Sequence, residues 1–161
     1  MDSLKFGTSG LRGLATDLVG GAARRYTAAF LAHLGTNAGK RVYLGRDLRA
    51  SSAAIVEDCA VAIRAAGLVP VDCGALPTPA LALHAMANGG AAIMVTGSHI
   101  PADRNGLKFY RADGEIDKTD EAGILAALGD SPEANTNSTE AVNLTLRIAA
   151  ARVQTGIKTK V

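Results

Sequence analysis

Ser98 lies in the segment of the chain that is richest in groups able to do chemistry. It follows an apolar run, residues 91–95, that predicts a buried strand, and His99 comes directly after it. Lys108 follows ten residues after the serine. A strand that ends in a glycine-flanked serine presents a hydroxyl at an exposed sheet edge. We therefore expect a hydroxyl able to hold phosphate, an imidazole and an ammonium group within one loop and its returning strand. A surface turn with an ordinary serine is the alternative, because short motifs also occur by chance.

A second candidate site is the glycine-punctuated segment 7–13, which contains Thr8, Ser9 and Arg12. Glycines let backbone amides approach an anion, hydroxyls donate hydrogen bonds, and an arginine binds phosphate in a bidentate manner. The spacing matches neither a P-loop nor a dinucleotide-binding fingerprint, and no strand–turn–helix pattern frames it. A phosphate cradle and a flexible glycine-rich terminus both remain open for this segment.

The third candidate is the segment 45–52, where Arg46, Asp47 and Arg49 follow a predicted strand. Ligands commonly lie beyond the carboxyl ends of strands in open α/β sheets. For Asp47 the pattern favours a structural role, in which the carboxylate pairs with an arginine and fixes the loop before a helix. Ser51 or Ser52 is predicted to cap that helix. The roles of the two arginines stay undecided from the pattern alone.

Other polar residues are given structural interpretations. Asp113, Glu115 and Asp117 could supply oxygen ligands to Mg²⁺, but turn and helix-cap roles explain the outer two more simply. His33 and His84 lie among alanines and leucines and are read as ordinary helix residues.

Strand-like and helix-like segments alternate along the chain, which indicates a layered α/β domain. The apolar periodicity and the positions of Gly, Pro and Ser predict the following elements: a helix over 17–37, a strand over 41–46, a helix ending at Gly67, a strand over 68–73, a helix from Pro77 to about Asn88, strands over 91–95 and 107–111, a turn at Asp113–Gly114, and a helix over 117–128 that Asp117 caps.

The domain organisation follows from a change in composition near residue 129. Residues 1–128 form one predicted α/β domain, residues 129–140 have the polar composition of a linker, and residues 141–161 remain unassigned.

Composition limits the classes of function. A net charge of +2 and 4% aromatic residues argue against nucleic-acid binding. No apolar run approaches the ~20 residues that a membrane span requires, and we expect no membrane association. Cys59 and Cys73 match no metal-ligand spacing, so we expect buried thiols in a reducing cytoplasm.

Three motifs together resemble those of the α-D-phosphohexomutase family, which includes bacterial phosphomannomutases and phosphoglucomutases. They are FGTSGLRG at the start, GRDLRASS in the middle, and TGSHIPADRNGLKFY near residue 100. The resemblance covers residues 4 to about 128 and implies the first domain of that family, a three-layer α/β/α unit with a mixed sheet. This chain has Gly97 and Ile100 where the commonest family loop has alanine and asparagine.

The resemblance assigns a role to each matching residue. It implies that Ser98 is phosphorylated and passes its phosphoryl group to a hexose phosphate, so that phosphate moves between C6 and C1 through a bound bisphosphate. Lys108 and Arg12 would then manage the hydroxyl proton and the charge of the transferring group, and His99 would be the catalytic histidine that accompanies the serine. Thr8, Ser9, Arg46 and Arg49 are assigned to substrate and phosphate binding. The phosphate on Ser98 would supply one ligand to Mg²⁺.

The resemblance also implies partners that this chain does not contain. The family has four domains, and its remaining Mg²⁺ ligands, sugar-recognition loop and distal phosphate clamp lie in the other three. We therefore expect the chain alone to be inactive, to act with hexose phosphate, hexose bisphosphate and the missing domains, and to be able to self-associate. Mannose is the preferred sugar. A non-catalytic module that binds sugar phosphates or a protein is the alternative, and a nucleotide-binding Rossmann domain is disfavoured.

Overall fold

The computed structural model describes residues 3–7 and 10–129 and shows a mixed sheet with helices on both faces. This confirms the predicted α/β class. The elements in chain order are β1 (Lys5–Gly7), β2 (Gly10–Leu14), α1 (Ala23–Leu34), β3 (Arg41–Arg46), α2 (Ser52–Ala65), β4 (Val69–Ala75), α3 (Thr78–Ala87), β5 (Ala92–Val95), β6 (Arg104–Arg111), β7 (Gly114–Glu115) and α4 (Lys118–Gly129).

The sheet combines two kinds of strand pairing. Its order is β1-β2-β6-β5-β3-β4, and β7 pairs with β6. Strand β3 runs parallel to both β4 and β5, whereas β5, β6, β2 and β1 pair in an antiparallel manner. Parallel pairing places the carboxyl ends of β3 and β5 at the same end of the sheet, and antiparallel pairing brings the start of β6 to that end as well.

The two faces of the sheet are covered unequally. One face carries the main core, in which α1, α2 and α4 pack over side chains such as Leu11, Ile93, Leu107 and Phe109. The other face has a smaller apolar cluster that includes Tyr43, Leu81 and Met94. Its helix, α3, packs on β3 and β5. Among the described residues, no helix covers the part of this face formed by β1, β2 and the first half of β6.

The predicted helix over 17–37 is wrong in one respect, because it is not continuous. A helical turn at Ala15–Asp17 and a wider turn at Leu18–Ala22 precede α1, and the backbone leaves helical geometry at Val19 (ψ 137°) and Gly20 (φ 93°). The carboxylate of Asp58 on α2 accepts a hydrogen bond from the Gly20 amide at 2.6 Å and another from Arg24 Nε at 2.8 Å. This contact between helices fixes the break.

Several predicted ends of other elements are confirmed, whereas β4 runs to Ala75 instead of Cys73 and β6 begins at Arg104 instead of Leu107. Strand β3 has the expected bounds, and Gly67 takes a positive φ of 77° two residues after the end of α2. The Asp117 carboxylate accepts hydrogen bonds from the amides of Thr119 (2.8 Å) and Asp120 (3.0 Å), which caps α4. Ser51 occupies the N-cap position of α2, as predicted for Ser51 or Ser52, but no side-chain hydrogen bond caps the helix there. In the described part of the chain, no helix is both long and apolar enough to cross a bilayer.

Candidate active site

Ser98 is exposed on a loop, residues 96–103, which joins β5 to β6 and which we call the serine loop. Its φ of 53° makes it the one described non-glycine residue with a positive φ. Such a conformation persists where surrounding contacts hold it. One of these contacts is local, because the Ser98 amide donates to Thr96 Oγ1 at 3.0 Å. His99 is also exposed and forms no hydrogen bond with the described residues.

The guanidinium of Arg49 binds the backbone of the serine loop from one side. Nη1 donates to the carbonyls of Pro101 (2.7 Å) and Arg104 (3.1 Å), and Nη2 donates to those of Ile100 (2.7 Å) and Ser98 (3.3 Å). A planar guanidinium presents several donors in a fixed geometry, which suits this arrangement of carbonyls. A Cβ atom added at Gly97 would lie only 2.2 Å from Cζ and Nε of Arg49. The glycine therefore provides room for the guanidinium.

Asp47 connects Arg49, the serine loop and α2. Its carboxylate pairs with Arg49 Nε at 3.2 Å and accepts hydrogen bonds from the Gly97 amide (3.0 Å) and Ser52 Oγ (2.5 Å). Burial alone would raise the pKa of Asp47, but the hydrogen bonds from Ser52 and from the amides of Arg49 and Gly97 outweigh it and hold the pKa below its ordinary value. The carboxylate is therefore charged at neutral pH. The predicted structural role of Asp47 is confirmed.

Arg12 and Lys108 lie on the sheet face opposite the main core. In the antiparallel ladder Gly106 is the partner of Arg12, and Gly10 is the partner of Lys108. The two cations are thus diagonal neighbours on adjacent strands, and such pairs have Cα atoms about 7–8 Å apart. A Cβ added at Gly106 would lie 3.3 Å from Arg12 Cγ, so the arginine stem lies over the glycine, toward β6. The amide of Thr96, at the start of the serine loop, donates to the Gly106 carbonyl at 3.0 Å.

The structure brings together most, but not all, of the residues that the sequence singled out. The serine loop, Asp47, Arg49, Arg12 and Lys108 belong to one end of the sheet and its open face. Arg46 Nη1 donates to the neighbouring Asp47 carbonyl at 3.4 Å. Thr8 and Ser9 lie outside the described residues, as do residues 130–161 and hence all of the predicted linker 129–140 except Gly129, which ends α4.

The segment 7–13 has a different setting from the one expected. The sequence left a phosphate cradle and a flexible terminus open for this segment and showed no strand in it. In the structure the segment includes the end of β1 and most of β2, which form an antiparallel pair. These strands are only three and five residues long. Their short length explains why the periodicity did not reveal them.

Asn105 is a residue that the sequence reasoning missed. It is fully buried at the start of β6, where Nδ2 donates to Ser51 Oγ and Ser52 Oγ at 2.9 Å each and Oδ1 accepts from the Gly106 amide at 2.9 Å. The side chain therefore ties the end of the serine loop to the start of α2. Its place directly before Gly106, within the motif that contains Lys108, was the available signal.

No group of three or more metal-binding side chains occurs in the described parts of the chain. Asp113 and Asp117 instead pair with Arg111, at 2.9 Å to Nε and 3.2 Å to Nη1. Cys59 is buried and Cys73 is half-buried, and both are unbridged. Burial raises the pKa of each thiol to about 12.

Comparisons with known proteins agree with this geometry. A family model described as phosphoglucomutase/phosphomannomutase, alpha/beta/alpha domain I, matches residues 3–135. A phosphomannomutase of Sinorhizobium fredii is 59% identical over 126 residues, which are 76% of this chain and 27% of that protein. A phosphoglucosamine mutase of Hyphomonas neptunium is 34% identical over 128 residues, 77% of this chain and 28% of that protein.

Solved structures show the same relationship. A putative phosphomannomutase from Thermus thermophilus superposes with a TM-score of 0.71 at 29% identity, covering 82% of this chain and 30% of that one. A phosphoglucomutase/phosphomannomutase family protein from Burkholderia thailandensis gives a TM-score of 0.67 at 31% identity, over 76% of this chain and 29% of that one. The chain thus spans less than a third of the length of these relatives. It belongs to the phosphoglucomutase/phosphomannomutase family and corresponds to its α/β/α domain I.

Proposed function

We propose that this domain stores a phosphoryl group on Ser98 and exchanges it with a hexose phosphate, as part of an intramolecular phosphotransferase that moves phosphate between C6 and C1. The observation that carries the proposal is the exposed Ser98, which the Asp47–Arg49 pair holds at the end of the sheet whose open face presents Arg12 and Lys108. Phosphoryl transfer requires positioning and charge stabilisation above all.

The proposed step balances as follows. A sugar hydroxyl attacks the phosphorus of phosphorylated Ser98, the new sugar O–P bond forms, and the Oγ–P bond breaks. The hydroxyl proton leaves to the His99 imidazole and passes from there to the departing Oγ, while the cations of Lys108 and Arg12 stabilise the negative charge on the transferring group. In the second half of the reaction Oγ attacks the phosphorus of the other phosphate, the Oγ–P bond forms again, that sugar O–P bond breaks, and the Oγ proton passes to the sugar oxygen. A phosphoserine has a charge of about −1.5 to −2 at pH 7, so nearby cations stabilise it.

The contacts of Arg49 suggest a role other than direct phosphate binding. Its two terminal nitrogens already donate to four backbone carbonyls of residues 98–104. We therefore propose that Arg49 positions the serine loop and that Arg12 and Lys108 contact the phosphate.

In this proposal Mg²⁺ is bound by the whole protein and not by this domain alone. The described residues hold no cluster that could bind it alone. A phosphate on Ser98 would supply one oxygen ligand, and carboxylates outside this domain would have to supply the rest.

Mannose phosphate is the proposed substrate. Relatives named phosphomannomutase share 59% and 49% identity with this chain, whereas the phosphoglucosamine mutases share 31–38%. We also propose a cytoplasmic location, where phosphosugars are available.

Phosphosite mapping tests the proposal. After incubation with a hexose 1,6-bisphosphate, intact-mass analysis should show one added phosphoryl group, and peptide mapping should place it on Ser98. The Ser98→Ala variant should remain unmodified, while Ser51→Ala, which removes another partly exposed hydroxyl of this region, should be modified as the wild type is. Phosphate on a different residue, or none on Ser98 after this incubation, would contradict the proposal.

The alternative function is a non-catalytic module that binds a sugar phosphate or a protein. The uncovered part of the sheet is the observation that favours it. Binding of a sugar phosphate with no phosphorylation of Ser98 would support this alternative. In either case we expect no turnover of hexose phosphates by the chain alone, because it spans 27% of its phosphomannomutase relative. A coupled assay with Mg²⁺ and bisphosphate checks this expectation.

A further inference from the structure

Ser98 holds a backbone conformation that serine adopts rarely. Its φ of 53° is left-handed, and no other non-glycine residue in the described part of the chain has a positive φ. Such a conformation is unfavourable for an L-residue, because Cβ comes too close to the following carbonyl oxygen. Glycine would adopt this turn easily, but it has no hydroxyl to accept a phosphoryl group. Contacts around Ser98 must therefore hold its backbone if Oγ is to keep one direction.

The backbone of Ser98 lies between two peptide units, and different groups hold each of them. Because a peptide unit is planar, φ and ψ of a residue are fixed once both neighbouring units are held. In the unit after Ser98, the carbonyl accepts from Arg49 Nη2 at 3.3 Å in an exposed position. In the unit before it, the Gly97 carbonyl accepts from the Ile100 amide at 3.1 Å, and the Ser98 amide donates to Thr96 Oγ1 at 3.0 Å. The side chain that holds the Ser98 amide is therefore that of Thr96.

Thr96 is itself held in place at the end of β5. Its amide donates to the Gly106 carbonyl at 3.0 Å, so its backbone continues the pairing with β6, and its side chain is half-buried. A hydroxyl accepts and donates at once, so Oγ1 accepts from the Ser98 amide while its proton is available to a second oxygen. The Asp47 carboxylate is close enough to be that acceptor. Burial would raise the pKa of Asp47, but the hydroxyls of Ser52 and Thr96 are among the groups that hold this pKa below its ordinary value.

The Asp47 carboxylate is a fixed acceptor. Ser52 Oγ donates to Asp47 Oδ1 at 2.5 Å, and Asn105 Nδ2 donates in turn to Ser52 Oγ at 2.9 Å. Both Ser52 and Asn105 are fully buried, where water does not compete for these hydrogen bonds. The hydroxyl of Thr96 thus connects the amide of Ser98 to a buried polar network that joins the start of α2 to the start of β6.

We propose that Thr96 is a positioning residue for phosphoryl transfer at Ser98. Its hydroxyl accepts from the Ser98 amide and donates to Asp47, and it thereby holds the peptide unit that sets the direction of the Ser98 Cβ. With the backbone fixed, only rotation about χ1 remains to place Oγ. Transfer is sensitive to this placement, because misplacing reacting atoms by about 1 Å can slow a reaction about 100-fold. The inference rests on the proposed function, which supplies the reaction.

Replacement of Thr96 by valine tests the role of the hydroxyl. Thr96→Val keeps the size and the branched Cβ of the side chain but removes the acceptor of the Ser98 amide. Nuclear magnetic resonance of the whole chain should show faster hydrogen exchange at the Ser98 amide and a three-bond HN–Hα coupling that departs from the wild-type value. Incubation with mannose 1,6-bisphosphate should then phosphorylate Ser98 roughly 5-fold more slowly or less, since a neutral hydrogen bond contributes about this factor to an equilibrium.

Two variants serve as controls. Thr96→Ser keeps the hydroxyl and loses only the methyl group, so it should retain the wild-type exchange, coupling and phosphorylation rate of Ser98. Thr27→Val makes the same chemical change at a buried position on α1 and should leave Ser98 unchanged. Urea unfolding of each variant shows that the rates are compared between folded proteins.

The outcomes separate the positioning role from the proposed function. A wild-type coupling in Thr96→Val would overturn the positioning role, and so would a changed coupling with an unchanged phosphorylation rate. An equal loss of rate in Thr96→Ser or Thr27→Val would overturn it as well. Absence of phosphate on Ser98 in the wild type would instead contradict the proposed function. In that case a changed coupling in Thr96→Val alone would still support the hold of the hydroxyl on the Ser98 backbone.

Discussion

The conformation of the serine loop depends on Arg49, and replacing this residue by lysine tests that dependence. Lysine keeps the positive charge beside Asp47, but its single ammonium group cannot reach four carbonyls in the geometry of a guanidinium. We expect the Arg49→Lys variant to fold and its serine loop to open more often. The Arg49→Ala variant should show a larger effect, because Asp47 then also loses its ion pair.

The size of the effect follows from the exposure of the four hydrogen bonds. The carbonyls of Ser98 and Pro101 accept in exposed positions, where water can replace the donor at little cost. The bonds to Ile100 and Arg104 are part-buried, and the Arg49 side chain is only 18% exposed. A hydrogen bond to a charged group contributes about 1.5–3 kcal/mol when it is shielded. Allowing for what lysine retains, we expect the free energy of loop opening to fall by about 2 kcal/mol in Arg49→Lys and about 3–4 kcal/mol in Arg49→Ala.

Hydrogen exchange of the loop amides measures this free energy directly. The amides of Gly97, Ile100 and Arg104 donate to Asp47, Gly97 and Pro101, so their protection reports on the closed loop. A loss of 2 kcal/mol corresponds to about 30-fold faster exchange. The control is Arg64→Lys, since Arg64 forms an exposed hydrogen bond with Glu57 on α2, and this change should cost less than ~0.5 kcal/mol. Loop amides that exchange within about threefold of wild type in Arg49→Lys would refute the reasoning.

Two further predictions concern the sheet and the acid limit of stability. Gly10→Ala should lower the free energy of unfolding by roughly 3 kcal/mol or more, because φ is 153° and the new Cβ would lie 1.9 Å from the Leu107 carbonyl oxygen. Urea unfolding measures this loss, and Gly21→Ala is the control because a Cβ at Gly21 meets open space. Equal losses of stability in the two variants would contradict this account. Asp47 has a depressed pKa in the folded state, so its contribution to stability is present above the unfolded carboxyl pKa of about 3.9 and is lost as the pH falls through the folded value. Urea midpoints measured between pH 6 and pH 3 should therefore fall less steeply for Asp47→Asn than for wild type. The control is Asp113→Asn at an exposed position, whose midpoints should follow those of wild type more closely. Identical slopes for the two variants would contradict the contribution of Asp47 to the pH dependence of stability.

Elements with strong local signals could be predicted from the sequence. Strand β3 is an apolar run that ends at Arg46, and the chain leaves α2 through Gly67, two residues after Ala65, with a positive φ that glycine adopts easily. Asp117 caps α4 through contacts two and three residues away. In each case the residues that determine the element lie within it or directly beside it.

Features that depend on distant residues could not be predicted in this way. The break before α1 is fixed by Asp58, which lies 38 residues beyond Gly20. The hydrogen bonds of Arg49 reach carbonyls 49–55 residues away. Its motif indicates only a polar residue after a strand, and this fits phosphate binding and backbone binding equally well.

The mixed pairing of the sheet is what makes the site possible. Parallel pairing of β3 with β5 places Asp47 beside Val95, whose carbonyl accepts a hydrogen bond from the Asp47 amide at 2.9 Å. The residues that hold the serine loop therefore lie on the β3 side of β5. Antiparallel pairing of β5, β6 and β2 places Lys108 and Arg12 on the opposite side of β5.

A fully parallel sheet would separate these two groups. A parallel β6 would first have to cross back to the other end of the sheet, and a connection of about a dozen residues or more would replace the short serine loop. Lys108 would then lose its place ten residues after Ser98 on the neighbouring strand. The residue that positions the serine loop, Arg49, therefore follows one strand, while the cations Arg12 and Lys108 lie on others. Substitution of Arg49 should change the conformation of the loop, and substitution of Arg12 should change the positive charge of the site, each without the other.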